Sequence, residues 1–411
     1  MTKKNNDRQS KPGPLDGIKV VEYGVFHAGP GANAILGDLG AEVIKIEAAS
    51  GDPLRLWTKS GERNFSLPNG EGLLFEVSNR NKQGICLDIK NEKGYEIFLD
   101  MIKDADIFLT NLRKSTKKKL AIDYDTLSKT NPKLIHANVS GYGPEGPLNN
   151  MGAFDPMCQG RSGMMYITGS ENPVLIQYAV LDQATAIAAS QAIMTALFIR
   201  ERQGIGQEIH ISLYSTAIWL LHFNMLMTSM LSENPNVPWI RSSNSPLRNN
   251  FQCKDGKWII GVHHPEEKYW KPFCKATNRE SLIEDPRFID LEHRIKNCKE
   301  LIAIFDEVFE TKTRDEWMEI LPGYGLMFTS VQDISEVLDD PQALENDYVV
   351  DFDYDEFGSF KIPGYPVHFS TFQAGTKTGA PKIGEHTDLI MGKMGYTAEQ
   401  IDELRKEGII N

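Results

Sequence analysis

The fold is decided by IKVVEY at residues 18–23, AGPG at 28–31 and EVIKI at 42–46. The first and last stretches are short apolar runs rich in β-branched residues, which predicts strands. The glycine turn leads into a helical pattern at 32–39. A strand, a helix and a second strand in this order give the crossover that a parallel pair requires. The opening of the chain therefore predicts a βαβ unit.

The same alternation continues downstream. Predicted strands and helices follow one another at 85–89, 92–103, 107–110, 124–129, 134–139, 184–200, 208–213 and 216–231. Strands that alternate with helices form a parallel sheet covered on both faces. We therefore predict an α/β fold whose large lobe contains a parallel, Rossmann-like sheet.

The composition changes at 232–250, where Pro235, Pro238 and Pro246 lie among several Asn and Ser residues. This composition is typical of a linker or an excursion. A hairpin turn is predicted at Asp255-Gly256-Lys257, before amphipathic helices. We predict a large lobe over 1–224, a smaller α+β lobe at 225–330, and a segment, 331–411, that returns to the large lobe.

Length and composition bound the class of protein. A chain of 411 residues exceeds the usual size of a single core, so two lobes are expected. Hydrophobic residues make up 41% and charged residues 24%, and no apolar run is long enough for a membrane span. Residues 1–11 are polar and lack the apolar core of a signal peptide. A soluble, cytoplasmic protein without a membrane partner is predicted.

Charge and cysteine content exclude other classes. The formal net charge of −12 argues against a nucleic-acid partner, because such binding depends on a basic surface. The five cysteines are widely spaced and include no C-x-x-C pair, so we expect buried thiols rather than disulfides or a zinc site. The histidines show no metal-ligand spacing either. No metal is predicted.

Several motifs have two readings on pattern alone. The AGPG turn can cradle a phosphate at a helix N-terminus, or it can be a tight turn between a strand and a helix. The basic stretches 79–82 and 113–119 fit a polyphosphate site or a solvated surface. Asp182 directly precedes the alanine-rich pattern, where it can cap a helix or serve as a nucleophile. Asp155 lies at a similar boundary between elements.

A longer series of short motifs covers nearly the whole chain. They read LDGIKVVE at 15–22, AGP at 28–30, LGAEVIKIE at 39–47, GDP at 51–53, NRNK at 79–82, LD at 87–88, IDY at 122–124, NPKLI at 131–135, SGYG at 140–143, GP at 146–147, GIGQ at 204–207, DG at 255–256, DPQ at 340–342 and GEHT at 384–387. In their order and wording they resemble the class III CoA-transferases, a group that includes formyl-CoA transferase, carnitine CoA-transferase and the α-methylacyl-CoA racemases.

The resemblance implies roles for individual residues. It places the catalytic aspartate, which ends a strand before an alanine-rich helix, at Asp182, and a supporting acidic residue at Asp155. Backbone N–H groups near the start of that helix are then candidates to stabilise oxyanions. The residues that match the coenzyme A cleft are Phe26, His27, Arg55, Lys82, Asn111, Leu112 and Lys119.

The chain departs from the family pattern at three places. Racemases of this group carry a histidine just before the second acidic position, where this chain has Phe154, which favours a transferase. The glycine run that covers the nucleophile in some formyl-CoA transferases is replaced by IRSSNSP at 240–246. The usual Gly-Pro-Gly after the cleft asparagine is replaced by Arg113-Lys114-Ser115.

The resemblance thus predicts an enzyme that moves coenzyme A from an acyl-CoA, such as succinyl-CoA or an aryl-acyl-CoA, to a carboxylic acid. Trp239, Phe251 and Trp258 fit recognition of an aromatic acid, or they are core residues of the small lobe. The alternatives are an acyl-CoA racemase and a non-catalytic, CoA-binding subunit of a hetero-oligomer. The resemblance also implies an interlocked dimer, formed with an identical or a related subunit.

Overall fold

The structure is a computed structural model that describes residues 12–232 and 239–411. Contacts within the chain divide the described residues into two units: 12–168, 172–232 and 347–411 form the larger one, and 169–171 and 239–346 form the smaller one. This division rests on contacts alone, so the predicted lobes at 1–224, 225–330 and 331–411 stay a prediction. Among the described residues, every helix is too short or too polar to cross a membrane.

A six-stranded parallel sheet forms the centre of the larger unit. Its strands are β1 (Lys19–Glu22), β2 (Glu42–Glu47), β5 (Lys82–Cys86), β6 (Ile107–Thr110), β7 (Ile135–Ser140) and β8 (Gln207–Ser212), and a small antiparallel pair, β3 (Lys59–Ser60) and β4 (Arg63–Asn64), lies outside it. The order β5-β2-β1-β6-β7-β8 confirms the predicted parallel sheet. Because β2 and β6 lie on opposite sides of β1, the order reverses there, and the carboxyl ends of β1 and β6 border a crevice.

Helices cover both faces of this sheet. Those of the larger unit are α1 (Ala28–Asp38), α2 (Leu73–Asn79), α3 (Glu92–Asp104), α4 (Lys114–Lys119), α5 (Tyr124–Thr130), α6 (Asp155–Ser162), α7 (Val180–Gln203), α8 (Leu213–Leu220), α9 (His222–Leu231), α16 (Thr387–Lys393) and α17 (Ala398–Lys406). An antiparallel hairpin of β12 (Val349–Tyr354) and β13 (Gly358–Pro363) belongs to the same unit. The single apolar helix predicted at 216–231 is wrong, because Leu221 separates α8 from α9.

Helix α1 is buried along its whole length. Its alanines and glycines let it lie between the sheet and α7, which presents the buried stripe Ala186, Ala189, Ile193 and Ala196 at helical spacing. Gly29, Pro30 and Gly31 are therefore inside the first helix rather than in an open loop. This burial favours the structural reading of the AGPG motif over a phosphate cradle.

The smaller unit contains a three-stranded antiparallel sheet in the order β11-β10-β9. Its elements are β9 (Arg248–Gln252), β10 (Trp258–Val262), α10 (Glu266–Ala276), α11 (Leu291–Lys296), α12 (Cys298–Phe309), α13 (Arg314–Ile320), β11 (Phe328–Val331), α14 (Ile334–Val337) and α15 (Pro341–Glu345). The predicted hairpin around Asp255-Gly256-Lys257 is confirmed by the pairing of β9 with β10. Phe251 stacks on Phe309 with ring centroids 4.4 Å apart, so it is a core residue, whereas Trp239 and Trp258 are partly exposed.

Candidate active site

A cavity of about 750 Å³ opens at the carboxyl ends of the central strands. Residues that follow β1, β6, β7 and β8 line it: Val25, Phe26, Asn111, Leu112, Gly141 and Leu213. Open α/β sheets bind ligands in such a crevice, at the point where the strand order reverses. The cavity is therefore the first candidate for an active site in the larger unit.

Asp182 is a carboxylate on the wall of this cavity. It is the third residue of α7, which begins at Val180 after two residues with left-handed backbone, Tyr178 (φ 63°) and Ala179 (φ 55°). The alternative reading, in which Asp182 caps the helix, is wrong, because the N-cap is Ala179, whose own side chain makes no cap bond. The implied strand before Asp182 is also absent, since residues 167–179 are irregular.

The N-terminus of α7 is instead held by Asp155, the first residue of α6. Its Oδ2 accepts the backbone N–H of Leu181 at 2.6 Å and that of Asp182 at 3.0 Å. Its Oδ1 accepts from Gln159 Nε2, and the Gln159 side chain is fixed in turn by two bonds to the backbone of Ile176. Asp155 is 3% exposed and is not on the cavity wall. A carboxylate in this position stabilises the positive end of a helix.

These bonds also bear on the proposed oxyanion donors. The N–H groups of Leu181 and Asp182 donate to Asp155, and that of Gln183 donates to the carbonyl of Ala179 at 3.0 Å. The N–H groups of these three residues are therefore engaged in the structure. That backbone donors near the start of α7 stabilise oxyanions stays a prediction.

The surroundings of Asp182 favour its neutral form. Burial raises the pKa of its carboxyl group, and the negative charge of Asp155 adds to the effect, to a value of about 7. A carboxylate that is poorly solvated when ionised is a stronger nucleophile than one in water. Strongly shifted groups in clefts are candidates for functional sites. The position of Asp182 on the cavity wall and its raised pKa therefore both make it a candidate functional residue.

A basic wall lies on another side of the cavity, along α4. Arg113, Lys114, Lys117 and Lys118 line it, and the Lys117 ammonium donates to Asn138 Oδ1. Lys119, the residue predicted from the sequence, is exposed and lies off the cavity. Spacings of three and four residues place 114, 117 and 118 on one face of a helix, so the helical period within 113–119 was the signal for the lysines that line the cavity.

Phe26, Asn111 and Leu112 are brought together on the cavity wall, as the resemblance implied. Asn111, however, uses its side-chain amide on the backbone of Val25: Oδ1 accepts from the N–H at 3.0 Å, and Nδ2 donates to the carbonyl at 2.5 Å. It holds the chain after β1 in place. Leu112 and Phe26 are left as apolar contacts for a ligand.

His27, Arg55 and Lys82 do not line this cavity. The ring nitrogens of His27 contact Ser78 Oγ and Gln183 Oε1, each at 2.8 Å, so His27 links α2 to the start of α7. Arg55 is 6% exposed and pairs with Glu47 at 2.7 Å and Glu71 at 3.2 Å.

Lys82 is buried, and its ammonium donates to Glu22 at 2.7 Å and to the carbonyl of Pro30 at 2.8 Å. As with Arg55, its charge is therefore balanced inside the protein. The direct contact of His27, Arg55 and Lys82 with coenzyme A stays a prediction.

An aromatic cluster includes two rings, those of Phe26 and Phe154, on the wall of the cavity that contains Asp182. The Phe26 ring meets the Phe154 ring edge to face, with centroids 5.1 Å apart, and the Trp57 ring in the same manner at 6.4 Å. Phe154 and Met157 line the cavity and are about half exposed. Their side chains offer apolar surface to an acyl group and carry neither an acid nor a base. Among the described residues, we find no group of three His, Cys, Asp or Glu side chains placed to hold a metal ion.

Comparisons with known proteins agree with this geometry. The chain matches the family model described as CoA-transferase family III over residues 15–387. It is 32% identical to (R)-2-hydroxy-4-methylpentanoate CoA-transferase from Clostridioides difficile, over 96% of this chain and 99% of that protein. It is 31% identical to cinnamoyl-CoA:phenyllactate CoA-transferase from Clostridium sporogenes, over 96% of each chain.

A solved structure shows the same fold. The crystal structure of a CAIB/BAIF family protein from Brucella suis superposes with a TM-score of 0.83 at 27% identity, and covers 93% of this chain and 100% of that one. The mixed α/β architecture with a large parallel sheet is thus shared with a known protein along most of the chain.

Proposed function

The chain belongs to CoA-transferase family III, with relatives that are named as CoA-transferases, and on that premise we propose that it works through covalent intermediates on Asp182. The observation that carries the proposal is the position of the Asp182 carboxyl group. It lies on the wall of the cavity at the carboxyl ends of the strands, with its pKa raised to about 7. A poorly hydrated carboxylate in that place is suited to attack a thioester.

The reaction consists of four acyl transfers. The Asp182 carboxylate attacks the carbonyl carbon of the donor thioester, the C–S bond breaks, and a mixed anhydride and a CoA thiolate form. The thiolate attacks the aspartyl carbonyl, which releases the donor acid and leaves an aspartyl-CoA thioester. The acceptor carboxylate then attacks this thioester and forms a second anhydride. The thiolate takes the acceptor acyl group from it, and the aspartate is regenerated without any net proton change.

The basic wall of the cavity supports binding of the nucleotide end of coenzyme A. Lys114, Lys117 and Lys118 present ammonium groups within one face of α4, next to the carboxyl ends of β6 and β7. Phosphates are stable beside such clusters even on an acidic protein, because the local charge decides. We therefore place the phosphate groups on this wall and the thioester at the Asp182 end of the cavity.

The acids exchanged are proposed to carry an apolar or aromatic side chain. Phe26, Phe154 and Met157 supply an apolar wall in the cavity that contains Asp182. The two relatives from Clostridioides difficile and Clostridium sporogenes are named for acids with a branched aliphatic and an aromatic side chain. Both of those acids are 2-hydroxy acids, so this class is the first to test as acceptor.

The interlocked dimer belongs to the same proposal. Large apolar side chains of α7, α8 and α9 are exposed in the single chain, among them Phe198, Trp219, Phe223 and Met230. Exposed apolar surface of this extent supports an interface with another subunit.

Mass spectrometry tests the covalent step. The protein is incubated with a panel of acyl-CoA donors, such as succinyl-CoA and cinnamoyl-CoA, with and without 2-hydroxy acids. We expect Asp182 to gain the mass of coenzyme A less one water. The adduct should be absent in Asp182→Asn and present in Glu201→Gln, a matched change on the exposed far end of α7. Full transfer activity in Asp182→Asn would overturn the assignment, and a wild-type protein that forms no adduct on its own would favour a non-catalytic subunit.

A further inference from the structure

Buried side chains hold the turn after β1 from three sides. The carbonyl of Gly24 accepts from Lys45 Nζ at 3.0 Å, Val25 is held by the Asn111 amide, and the N–H of Phe26 donates to Asp52 Oδ1 at 3.3 Å. Lys45 belongs to β2, Asp52 to the loop after it, and Asn111 to the loop after β6. Three consecutive residues are thus held by three separate parts of the sheet.

The turn has a strained backbone. Phe26 has φ 63°, in the left-handed region that bulky residues rarely adopt. Such a conformation persists only where the surrounding structure fixes it, and it is most frequent at functional sites. The Phe26 side chain lines the cavity that also contains Asp182. The turn therefore decides where this ring stands relative to the nucleophile's cavity.

The residues that hold the turn belong to a buried charge cluster of Glu22, Lys45, Asp52 and Lys82. The Lys45 ammonium donates to Glu22 Oε1 at 2.9 Å and to Asp52 Oδ2 at 3.0 Å, and Lys82 donates to Glu22 Oε2 at 2.7 Å. All four side chains are at most 3% exposed. The two lysines lower the pKa of Glu22 to about 2 in spite of its burial, so the cluster contains ionised groups.

Stability alone does not account for such a cluster. Removing two charges from water offsets most of their attraction, and apolar residues of similar size are often as stable or more so. None of the four lines the cavity that contains Asp182, so none of them has a direct part in the transfer steps. Lys45 and Asp52, however, form hydrogen bonds to the backbone of the turn. Apolar residues in their place could not form these bonds.

We propose that Lys45 and Asp52 are positioning residues for CoA transfer, which hold the turn at Gly24 and Phe26 so that the Phe26 ring keeps its place in the cavity. This inference rests on the proposed function of Asp182. Glu22 acts one contact further away, because it accepts from the Lys45 ammonium, and Lys82 in turn donates to Glu22.

The change Asp52→Asn tests the geometry without reference to catalysis. The Lys45 ammonium needs an oxygen acceptor, so the single amide oxygen turns to it and the amide NH₂ then faces the Phe26 N–H. Oδ1 of Asp52 also accepts the N–H of Leu54 at 3.0 Å, so one amide oxygen cannot serve both the Lys45 ammonium and these two N–H groups. Either the contact with the Phe26 N–H or the contact with Lys45 is therefore lost. We expect faster hydrogen exchange at the amides of Val25 and Phe26.

The matched control for this change is Asp38→Asn. Asp38 is also a buried carboxylate with a cationic partner, Arg80 at 2.5 Å, and it does not contact the turn. It should leave exchange at Val25 and Phe26 as in the wild type. Unchanged exchange at the turn in Asp52→Asn would overturn the proposal. If Asp52→Asn fails to fold, Asp52→Glu keeps the charge and moves the acceptor oxygen, and it should show the same local effect.

The coupling to chemistry is tested by a double-mutant cycle on the rate of CoA-adduct formation at Asp182. Asp52→Asn and Phe26→Ala should each lower that rate by about 10- to 100-fold, as small misplacements near a reacting centre do. The double variant should be no slower than Phe26→Ala, because Asp52 acts through that ring. Effects that multiply in the double variant would overturn the proposal.

Asp38→Asn should form the adduct at the wild-type rate. If the wild-type protein forms no adduct with any donor, the proposed function fails instead. The exchange measurement then still decides whether Asp52 holds the turn.

Discussion

The backbone N–H of Asp182 donates to Oδ2 of Asp155 at 3.0 Å, while the Asp182 carboxyl group itself lies on the cavity wall. Two carboxylates on adjacent helices thus have opposite surroundings. Asp155 is buried and accepts three hydrogen bonds, and burial combined with the charge of Asp155 raises the pKa of Asp182 to about 7. Environments that separate two carboxyl groups in this way assign them different roles. On the proposed mechanism, Asp155 holds the helix and Asp182 reacts.

The first prediction concerns the pH dependence of the first acyl transfer. Asp182 must be ionised to attack, so the second-order rate constant for adduct formation should rise with pH through about 7 and level off above it. In Asp155→Asn the neighbouring negative charge is gone, so the rising limb should move to lower pH. The absolute rate should also fall, because the new amide NH₂ meets the Gln159 amide. Rapid quenching followed by mass spectrometry of the Asp182 adduct, repeated across pH, measures both effects, and an unmoved limb would contradict the role given to Asp155.

The second prediction concerns stability. The pKa of Asp182 is raised from 3.8 to about 7 on folding, so its ionisation disfavours the folded state. The cost is absent below pH 3.8, grows as the pH rises, and is complete above about 7. Asp182→Asn should therefore be more stable than the wild type at pH 8, by up to about 4 kcal/mol, because the shift of about three pKa units corresponds to roughly 1.4 kcal/mol per unit.

Urea unfolding at pH 8 and pH 4.5 measures this difference, which should shrink at the lower pH. Glu201→Gln, on the exposed end of α7, should show little change at either pH. A variant of Asp182 that is less stable than the wild type at pH 8 would show that the carboxylate is stabilised by contacts the structure does not reveal.

The sheet could be predicted from the sequence because its signals are local. Apolar runs of β-branched residues alternate with helical patterns, and the order of the elements then gives a parallel sheet. That pattern predicts where the strands that become β1 and β6 end, and family resemblance assigned Phe26, Asn111 and Leu112, which follow those ends, to one cleft. Family resemblance added Asp182, whose own surroundings on pattern alone fitted a helix cap equally well.

The part that could not be predicted depends on contacts between distant residues. Asp155 replaces Asp182 as the cap of α7 across 27 positions of sequence, and no local pattern records that bond. Arg55 and Lys82 look like ligand cations in the sequence, but buried carboxylates balance them in the folded chain. A sequence shows a charged residue, and only the fold shows whether its partner is a ligand or another side chain.

The third prediction concerns the basic wall. Lys117→Met with Lys118→Met should raise the KM for an acyl-CoA by about tenfold or more, since each charge-assisted bond to a phosphate is worth roughly 1.5–3 kcal/mol. The maximal rate should change little, because this wall is not where the thioester reacts. The dependence of KM on salt should weaken as well.

Lys129→Met, at an exposed position of α5 that is off the cavity, is the control for loss of a positive charge outside the basic wall. Its KM should equal that of the wild type. Lys119→Met distinguishes Lys119, the residue matched by family resemblance, from the lysines on the cavity wall. A larger rise in KM in Lys119→Met than in the double variant would favour Lys119 as the phosphate ligand.

The fourth prediction separates transfer from racemisation. Inversion at the α-carbon of an acyl-CoA requires one group to remove the proton and a second to return it on the opposite face. Phe154 lies on the cavity wall at the position where, by the family resemblance, racemases carry a histidine. Its ring packs against the Phe26 ring, and neither side chain can exchange a proton. The wild-type protein should therefore introduce no solvent deuterium at the α-carbon of a 2-methylacyl-CoA in D₂O.

Phe154→His supplies the missing base on the same wall, and it should give slow deuterium incorporation while Phe154→Leu gives none. Both should be measured by mass spectrometry of the recovered thioester, beside the rate of adduct formation on Asp182. Because Phe154 is about half exposed, either side chain fits without a buried cavity being created. Deuterium incorporation by the wild type would mean that another group in this cavity exchanges protons, and the choice of transferase over racemase would then lose its physical basis.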